Sequence, residues 1–244
     1  MIEVDYVIFG GGSDIAKSFI KKQKKDIKIY LFNRSKIENL NFNSKIIEEF
    51  NNYDFSSARK FNIIFDKLKN IKFKYIFFFH GNYELTKNNL NKNSNIEASI
   101  FINYISIAFI LNFIYANNNI NENLKEIIVI GSVAGDRGKS RNPIYDSSKS
   151  ALFTLCQGYR GLFYKKNINL LFLKPGNVLT KMTQSFEKKF FWSDPDVIAR
   201  DICKKMNKNI FLVYSPFYWK YIMFIIKIIP NNLFRLLKID EFNK

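Results

Sequence analysis

The chain has 244 residues but only two cysteines, five prolines and one histidine. Cys156 and Cys203 lie far apart and outside any metal-ligand spacing, so we expect neither a disulfide framework nor a metal site. No Pro-, Gly- or Ser-rich linker divides the sequence, which predicts one domain with one sizeable core. Two free cysteines suit a reducing cytoplasm. Because a strand begins within the first few residues, we expect no signal or transit peptide.

Acidic residues are also scarce: 21 Asp and Glu oppose 38 Lys and Arg, for a net charge of +17. Clustered basic residues would neutralise the phosphates of a nucleic acid. The lysines here are scattered among Asn, Ile and Phe, a bias that AT-rich coding produces without selection for a partner. No nucleic-acid-binding motif accompanies the charge, so we predict no nucleic-acid partner.

Apolar segments of strand length alternate with helical patterns along most of the chain. Strands are predicted over residues 5–9, 27–32, 45–50, 71–79, 126–130, 169–174 and 209–214. Helices are predicted over about residues 14–24, 56–69, 96–116, 143–165 and 194–206. This alternation implies a parallel sheet covered by helices on both faces. Ligands of such sheets bind beyond the carboxyl ends of the strands.

Three glycines follow the first predicted strand, and a helix follows the glycines. Glycine lets the backbone approach a pyrophosphate, which the free N–H groups and positive dipole end of the next helix can receive. A tight turn between strand and helix would need the same glycines without any ligand. We predict cofactor contacts from Gly10, Gly11, Gly12, Ser13, Asp14 and Ile15.

Asn33 and Arg34 follow the second predicted strand, where no acidic residue stands to accept hydrogen bonds from an adenosine ribose 2′-hydroxyl. An arginine can instead neutralise a 2′-phosphate. The sequence therefore favours NADP(H) over NAD(H), although an ordinary surface arginine would look the same. Asp54, after the third strand, could meet the adenine edge or simply begin a helix.

A candidate catalytic group follows the strand at 126–130. Ser132 comes directly after it, and Tyr145 and Lys149 lie four apart in a helix that begins near Pro143, so they share one helix face. An ammonium within one helical turn favours the phenolate and lowers the pKa of a tyrosine. A serine hydroxyl can donate to a substrate oxygen. Such a group can protonate the alkoxide that forms when a ketone accepts a hydride. The alternative is an ordinary surface pair of Tyr and Lys with no catalytic role.

With the glycine turn, Ser132, Tyr145 and Lys149 in this order, the chain resembles the short-chain dehydrogenase/reductase family over about residues 4–214. The resemblance implies an α/β fold, a Rossmann-type doubly wound parallel sheet of about seven strands that binds NAD(P) in residues 1–214, and hydride transfer to or from a carbonyl or alcohol carbon. It also implies further cofactor contacts from Gly81, Tyr145, Lys149, Pro175, Gly176, Val178 and Thr180, with Thr180 facing the carboxamide.

Asn103 falls where the family carries an asparagine that holds a relay water, and we count it with the catalytic residues. A polar residue in an apolar helix can also simply satisfy a backbone group. The chain departs from the family's glycine pattern at Phe9, Asp14 and Ala16, and it has Phe-Phe-His-Gly at residues 78–81 where Asn-Asn-Ala-Gly is usual. His80 therefore receives no predicted role.

The stretches "GGGSDIA", "GSVAGDRGKSRNPIYDSSKSAL" and "KPGNVLTKMT" are similar to the decaprenylphosphoryl-2-keto-erythropentose reductases, the NAD(P)H-dependent half of an epimerase that makes polyprenyl-phosphoryl arabinose. This similarity implies a ketoreductase for a keto-sugar of cell-envelope glycan synthesis, with Tyr145 as proton donor and a partner oxidase. We also expect a homo-oligomer. A soluble reductase of a nucleotide sugar or another small carbonyl stays open, as does a non-catalytic nucleotide-binding subunit of a membrane complex.

Residues 215–244 form a C-terminal extension of the same unit, predicted as an amphipathic helical tail. Ser215 and Pro216 look like an N-cap and first helical position, and Pro230 stops the helix. Its 13 helical residues extend about 20 Å, short of the ~30 Å hydrocarbon core of a bilayer. Aromatic residues with Lys220 and Lys227 suit the plane of an anionic membrane. We predict that residues 216–238 bind the inner face of the cytoplasmic membrane; a dimer interface or core helix is the alternative.

Overall fold

The computed structural model describes residues 1–37, 44–51, 55, 61–83, 93–184, 186 and 191–237. The cofactor candidate Asp54 and the first residues of the helix predicted over 56–69 lie outside this part of the chain, as does the last residue of the predicted membrane segment 216–238.

The strands in chain order are β1 (Ile2–Glu3), β2 (Tyr6–Phe9), β3 (Lys28–Phe32), β4 (Lys45–Phe50), β5 (Ile71–Lys72), β6 (Tyr75–Phe78), β7 (Glu126–Ile130), β8 (Asn169–Pro175), β9 (Asn177–Val178), β10 (Trp192–Ser193) and β11 (Leu212–Ser215). Seven of them form one parallel sheet in the order β11-β8-β7-β6-β2-β3-β4. The strand order reverses between β2 and β6, which opens a crevice at their carboxyl ends. The predicted Rossmann-type doubly wound sheet of seven strands is confirmed.

The helices are α1 (Asp14–Lys21), α2 (Phe61–Lys69), α3 (Asn93–Ile100), α4 (Ser106–Ala116), α5 (Asn118–Asn121), α6 (Pro143–Tyr164), α7 (Pro195–Lys205), α8 (Trp219–Ile228) and α9 (Asn231–Leu236). They cover both faces of the sheet because the central strands are apolar on both. In β2, Val7 and Phe9 pack on the face that α2, α4 and α6 cover. Tyr6 and Ile8 point to the other face, which α1 and α7 cover.

The strand predicted over residues 71–79 is two strands in the structure. The carbonyl oxygen of Asp5 accepts from the backbone N–H groups of both Lys74 and Tyr75, at 3.2 and 3.0 Å, which interrupts the run. The first part, β5, pairs with β1 outside the main sheet, and the second part, β6, pairs with β2 and β7 inside it. The sequence does not reveal such a break, because the buried Ile71 and Phe73 alternate with the exposed Lys72 and Lys74 as they would in one continuous strand.

The long helix predicted over residues 96–116 contains a π-helical turn at Phe101–Ile105, between α3 and α4. By length and composition, Ile96–Ala116 could cross a membrane, and it is the single helix of this kind among the described residues. This is weak evidence, since the core helix of a soluble protein passes the same test. Here Ile107, Ile110, Leu111 and Ile114 are buried in the core on one face of the sheet.

The tail helix does not begin at Pro216. Ser215 is the last residue of β11, and its hydroxyl donates to Asp201 Oδ2 at 2.6 Å instead of capping a helix. Helix α8 therefore starts three residues after Pro216, at Trp219. It ends at Ile228, before Pro230 as predicted.

Candidate active site

The carboxyl ends of the central strands open into one cavity with a volume of about 1080 Å³. Most of the predicted site residues line it: Gly10, Gly12, Ser13, Asp14, Ile15, Asn33, Arg34, Gly81, Ser132, Tyr145, Lys149, Pro175, Gly176, Val178 and Thr180. Gly11 and Asn103 do not line it. The parallel sheet brings these residues together because strand ends that are distant in sequence meet at one edge.

The glycine turn brings backbone to the surface of the cavity at the N-terminus of α1. Gly10 has φ of +78°, and a Cβ there would lie 2.6 Å from the backbone nitrogen of His80, so only glycine fits. A Cβ on Gly12 would meet nothing within 4 Å, which leaves open space beside this backbone. Ser13 caps α1 by accepting from the N–H of Ala16 at 3.1 Å. This arrangement fits a pyrophosphate at a helix N-terminus.

Asp14 has a structural contact that its sequence position does not reveal. Its Oδ2 accepts from the backbone N–H of Lys181 at 2.7 Å, which joins the start of α1 to the 3₁₀ turn Lys181–Thr183. Thr180 caps that turn, and its Oγ1 lies 3.2 Å from the hydroxyl oxygen of Thr183. The two segments, both of which line the cavity, are therefore joined at one point.

Asn33 and Arg34 differ in exposure. The Asn33 side chain is buried and donates to Glu49 Oε1 at 2.9 Å, while its Oδ1 has no hydrogen-bond partner in the described part of the chain. Arg34 is exposed and lines the cavity. Glu49, on the adjacent strand β4, also accepts from the N–H of Ile37 at 2.9 Å. An acid thus stands near this strand end, but its carboxylate already accepts from protein groups; sequence reasoning missed it because it lies 16 residues from Asn33.

Ser132, Tyr145 and Lys149 lie together where β7 meets α6. Ser132 begins the 3₁₀ turn Val133–Asp136, and its Oγ accepts from the N–H of Ala134 at 3.1 Å. Its side chain also forms a hydrogen bond with the Tyr145 phenol. Lys149 Nζ lies 5.8 Å from the centre of the Tyr145 ring and donates to the carbonyl oxygen of Ile130 at 3.4 Å. A hydroxyl, a phenol and an ammonium therefore share one end of the cavity.

In the protein without a bound cofactor, burial determines the direction of the pKa shifts of Tyr145 and Lys149. It raises the pKa of Tyr145, and the hydrogen bond from Ser132 opposes that rise only in part. Burial also lowers the pKa of Lys149, to about 8. The prediction of a lowered Tyr145 pKa is therefore wrong for the protein without its cofactor, because burial raises this pKa and Lys149, itself desolvated, does not offset the rise. Tyr145 is a neutral phenol here, the form that can donate a proton.

Asn103 holds a loop in place. It is fully buried in the π-helical turn, where its amide donates to the Asn82 carbonyl oxygen and accepts from the Asn82 N–H, both at 2.8 Å. A Cβ on Gly81 would lie 3.3 Å from Asn103 Oδ1 and 3.4 Å from Lys149 Nζ, so the amide and the ammonium both lie beside the same face of Gly81. The side chain satisfies a backbone group, which is the alternative that the sequence left open. The predicted relay water stays a prediction.

His80 and Tyr83 belong to the cavity wall, although neither has a predicted role. The His80 ring stacks on Phe55 at 4.4 Å, and its Nε2 lies 3.0 Å from Ser106 Oγ. Burial and the charge of Lys149 lower the pKa of His80 to about 3, so it is neutral. The Tyr83 ring contacts the Tyr145 ring edge-on at 4.7 Å. The departure from the family pattern at residues 78–81 thus adds aromatic surface to the cavity.

The second side of the cavity is aromatic and apolar. Trp192 and Trp219 line it, and Trp219 packs so closely on the Pro-Gly segment that a Cβ on Gly176 would overlap its indole ring. The other apolar side chains on this side are Met182, Phe186, Phe191, Ile222, Met223, Ile226 and Phe234. No local motif marks these residues, because they come from separate segments that meet only in the fold.

The fold and the site define an oxidoreductase that uses a nicotinamide cofactor. The glycine turn at a helix N-terminus and the basic residue beside the β3 end fit the pyrophosphate and adenosine parts of such a cofactor. The family model "short chain dehydrogenase" matches residues 7–190. The chain belongs to the short-chain dehydrogenase family.

Known proteins that are similar to this chain support the assignment, although their sequence identity to it is low. An uncharacterised oxidoreductase of Streptomyces coelicolor is 27% identical over 111 residues, which is 46% of this chain and 44% of that protein, so the match spans less than half of each. A short-chain dehydrogenase of Burkholderia cenocepacia, solved with NADP, has a TM-score of 0.77 and 12% identity, with 97% of this chain and 98% of that one covered. A 4-hydroxyisoleucine dehydrogenase, solved with NADH, has a TM-score of 0.72 and 18% identity, with coverage of 89% and 99%. These structures share the fold, and because they hold different cofactors they leave the choice between NADP and NAD open.

Proposed function

We propose that this protein is an NADPH-preferring ketoreductase that reduces a keto-sugar in cell-envelope glycan synthesis, and that the sugar is carried on a polyprenyl phosphate. The observation that carries the proposal is the composition of the cavity. Ser132, Tyr145 and Lys149 lie at one side, and an apolar wall from α8 and its neighbours forms the other. A small soluble carbonyl would need the first side and not the second.

The residues of the chain have distinct roles in this proposal. A bound nicotinamide cofactor supplies the hydride. The Tyr145 phenol donates its proton to the oxygen of the former ketone, and Ser132 stabilises the charge on that oxygen. Lys149, with a pKa lowered to about 8, lies close enough to help return a proton to the phenolate. Tyr145 is half-buried in the cavity wall, and a bound cofactor and substrate would keep water from competing for the same oxygen.

Cofactor oxidation tests the substrate class directly. We expect NADPH absorbance at 340 nm to fall when a polyprenyl-phosphoryl 2-keto-pentose is added to the protein, and to stay constant with a nucleotide-linked keto-sugar. Faster reduction of the nucleotide sugar would instead establish the soluble reductase. If the protein binds NADPH but does not oxidise it in the presence of either class of keto-sugar, it would be a non-catalytic subunit.

Arg34 is expected to select NADPH. Its exposed guanidinium lines the cavity beside the buried Asn33, where a 2′-phosphate would lie. Arg34→Ala should therefore weaken NADPH binding by about tenfold, the effect of one charge-assisted contact, and change NADH binding less than twofold. Lys36→Ala, two residues away, is the control. Isothermal titration with both cofactors measures the difference; equal loss for both would mean that Arg34 does not read the phosphate.

The proposal also places the protein on the membrane through the outer face of α8. This face carries the exposed apolar residues Tyr221, Phe224 and Ile228, and Phe217 just before the helix extends it; these four side chains are 62 to 74% exposed, with Lys220 and Lys227 as basic neighbours. Exposed apolar surface of this kind marks an interaction site. Basic residues beside it add about 1 kcal/mol each near an anionic surface.

Phe224→Gln with Ile228→Gln should lower the partition onto anionic liposomes at least tenfold. These side chains are exposed, so the fold is retained, whereas truncation would remove Trp219 from the cavity. The control is Ile63→Gln, which changes an apolar residue on α2 that is 49% exposed. Liposome flotation at two salt concentrations gives the partition. Wild-type protein that stays in solution as a homo-oligomer with this face covered would show an oligomer interface instead, and a partner oxidase that covers it would compete with liposomes.

A further inference from the structure

Helix α8 has two apolar faces that meet different surroundings. One face turns away from the protein and is exposed, as described above. The other lines the cavity, with side chains spaced three and four residues apart: Trp219, Ile222, Met223 and Ile226. A helix that only anchored the protein to a membrane would need the outer face alone. The inner face is therefore available for a ligand.

The opposite side of this part of the cavity is also apolar and reaches the surface. Met182 and Phe191 line the cavity while remaining 43% and 57% exposed. Phe191 lies 6.4 Å from the Trp219 ring and 5.8 Å from the Tyr218 ring. Between α8 and these residues the apolar lining runs from the buried Trp219 to the rim. A chain of carbons can follow it without losing contact with apolar atoms.

The inner end of this path carries an unused hydrogen-bond donor. Trp219 is 7% exposed, it lines the cavity, and its Nε1 has no hydrogen-bond partner among the described residues. A buried indole N–H normally finds an acceptor, because leaving it unpaired costs the desolvation of the group. The N–H lies against Gly176, where a Cβ would be 1.8 Å from Nε1, so a small shift of the indole off this glycine would let an oxygen atom of a ligand accept from it.

The wall is held in position from the side of the catalytic serine. Arg137, just after the 3₁₀ turn that Ser132 begins, donates to the carbonyl oxygens of Ile226 and Ile229 at 2.6 and 2.5 Å. Its guanidinium also lies 3.9 Å from the centre of the Phe234 ring. These contacts fix the end of α8, so the apolar path is preformed rather than assembled by the ligand.

We infer that the space between α8 and Met182 and Phe191 is a subsite for the hydrocarbon tail of a single-chain amphiphilic substrate, with Trp219 Nε1–H donating to an oxygen of its head group. This inference rests on the proposed function and deepens it, because it assigns the part of the cavity that recognises the lipid. The subsite places the tail toward the rim and the head toward Tyr145.

Prenyl phosphates of increasing length test the subsite in the full-length protein with NADP⁺ present. The chain has two tryptophans, Trp192 and Trp219, and both line the cavity, so their fluorescence reports its occupation. Farnesyl phosphate, used below its aggregation concentration, should quench this fluorescence. We expect its dissociation constant from the quenching curve to be at least tenfold lower than that of dimethylallyl phosphate. Inorganic phosphate should have no effect. Equal affinity for the two chain lengths would overturn the subsite.

Two adjacent residues of α8 provide a matched pair of variants. Ile226 lines the cavity and Ile225 is 58% exposed and does not. Ile226→Glu should weaken farnesyl phosphate at least tenfold, whereas Ile225→Glu should leave its affinity within twofold; NADP⁺ binding, measured in parallel, should be unchanged in both. Equal effects of the two substitutions would mean that the probe adsorbs to the outer face, and the inference would fail.

Trp219→Phe tests the N–H donor separately, because it keeps an aromatic ring in the wall. Calorimetry should show farnesyl phosphate binding about five- to tenfold more weakly, and an unchanged affinity would remove the donor from the inference. The subsite and the proposed function can also fail independently. Tight prenyl phosphate binding without keto-sugar reduction would refute the proposed reaction alone. Reduction of a lipid-linked keto-sugar with a KM that Ile226→Glu does not change would refute the subsite alone.

Discussion

Tyr145→Phe is expected to lower the single-turnover rate of ketone reduction by about 10²- to 10⁴-fold, the range that general acid catalysis contributes. The substitution removes the phenolic oxygen that hydrogen-bonds to Ser132 and retains the ring that contacts Tyr83 at 4.7 Å. The shape of the cavity is therefore kept. NADPH should bind within about twofold of the wild-type affinity, since the glycine turn and Arg34 are untouched.

The control for this loss is Tyr159→Phe in the same helix. Tyr159 lies fourteen residues after Tyr145 in α6, and its phenol contacts Asn112 at 3.3 Å, away from the cavity. The Tyr159→Phe variant should reduce the ketone at the wild-type rate. Stopped-flow absorbance with enzyme in excess separates the chemical step from product release. If Tyr145→Phe turned over at the wild-type rate, the proton would come from another group and the catalytic assignment would be false.

The parts of the fold that the sequence predicts correctly are those that local patterns determine. The bounds of β4 and β7 match the predicted strands: β7 contains an uninterrupted β-branched run over residues 127–130, and β4 contains the pair Ile46 and Ile47. Helix α6 begins at Pro143 as predicted, because a proline suits the first turn and Asn142 caps it. The placement of Tyr145 and Lys149 on one face follows from helical geometry alone. These features need no knowledge of distant contacts.

The parts that could not be predicted depend on residues far apart in the chain. Asp14 is predicted as a cofactor contact, yet its carboxylate accepts from Lys181, 167 residues later. Asn103 sits in a π-helical turn that hydropathy does not distinguish from an α-helix. Trp219 meets Gly176 only because the tail folds back over the end of β8. The aromatic side of the cavity is therefore invisible in the sequence, although the apolar character of the tail that supplies part of it is plain.

Asp136 belongs to a buried ion pair below the catalytic turn, and we expect its loss to have the largest effect on stability. Its carboxylate pairs with Lys174 and accepts from the Tyr214 hydroxyl at 2.7 Å. The side chains of Asp136 and Lys174 are 3% and 1% exposed. The Lys174 ammonium also lies 3.4 Å from the centre of the Phe153 ring. A partner removed from such a pair leaves a charge without compensation in a site of low polarity.

Asp136→Asn should lower the free energy of unfolding by about 3–5 kcal/mol, the cost of an uncompensated buried charge. Asparagine keeps an acceptor oxygen for Tyr214, so the loss reports the charge and not the hydrogen bond. Lys174→Met on the Asp136→Asn background should recover most of the stability, because it removes the orphaned ammonium and fills a similar volume. Asp66→Ala breaks the exposed pair with Lys69 and should cost less than about 1 kcal/mol.

Urea unfolding followed by circular dichroism measures all four proteins on the same scale. A loss in Asp136→Asn no larger than in Asp66→Ala would mean that water reaches Lys174 and that the pair does not anchor the turn. The prediction also connects stability to the site, because Ser132 begins the turn that Asp136 ends. If the ion pair holds that turn, Asp136→Asn should raise the KM for ketone and slow its reduction even in urea-free buffer where the protein is folded. The double variant with Asp136→Asn and Lys174→Met should recover more of the stability than of the reduction rate. In this variant no ammonium holds the end of the turn against β8.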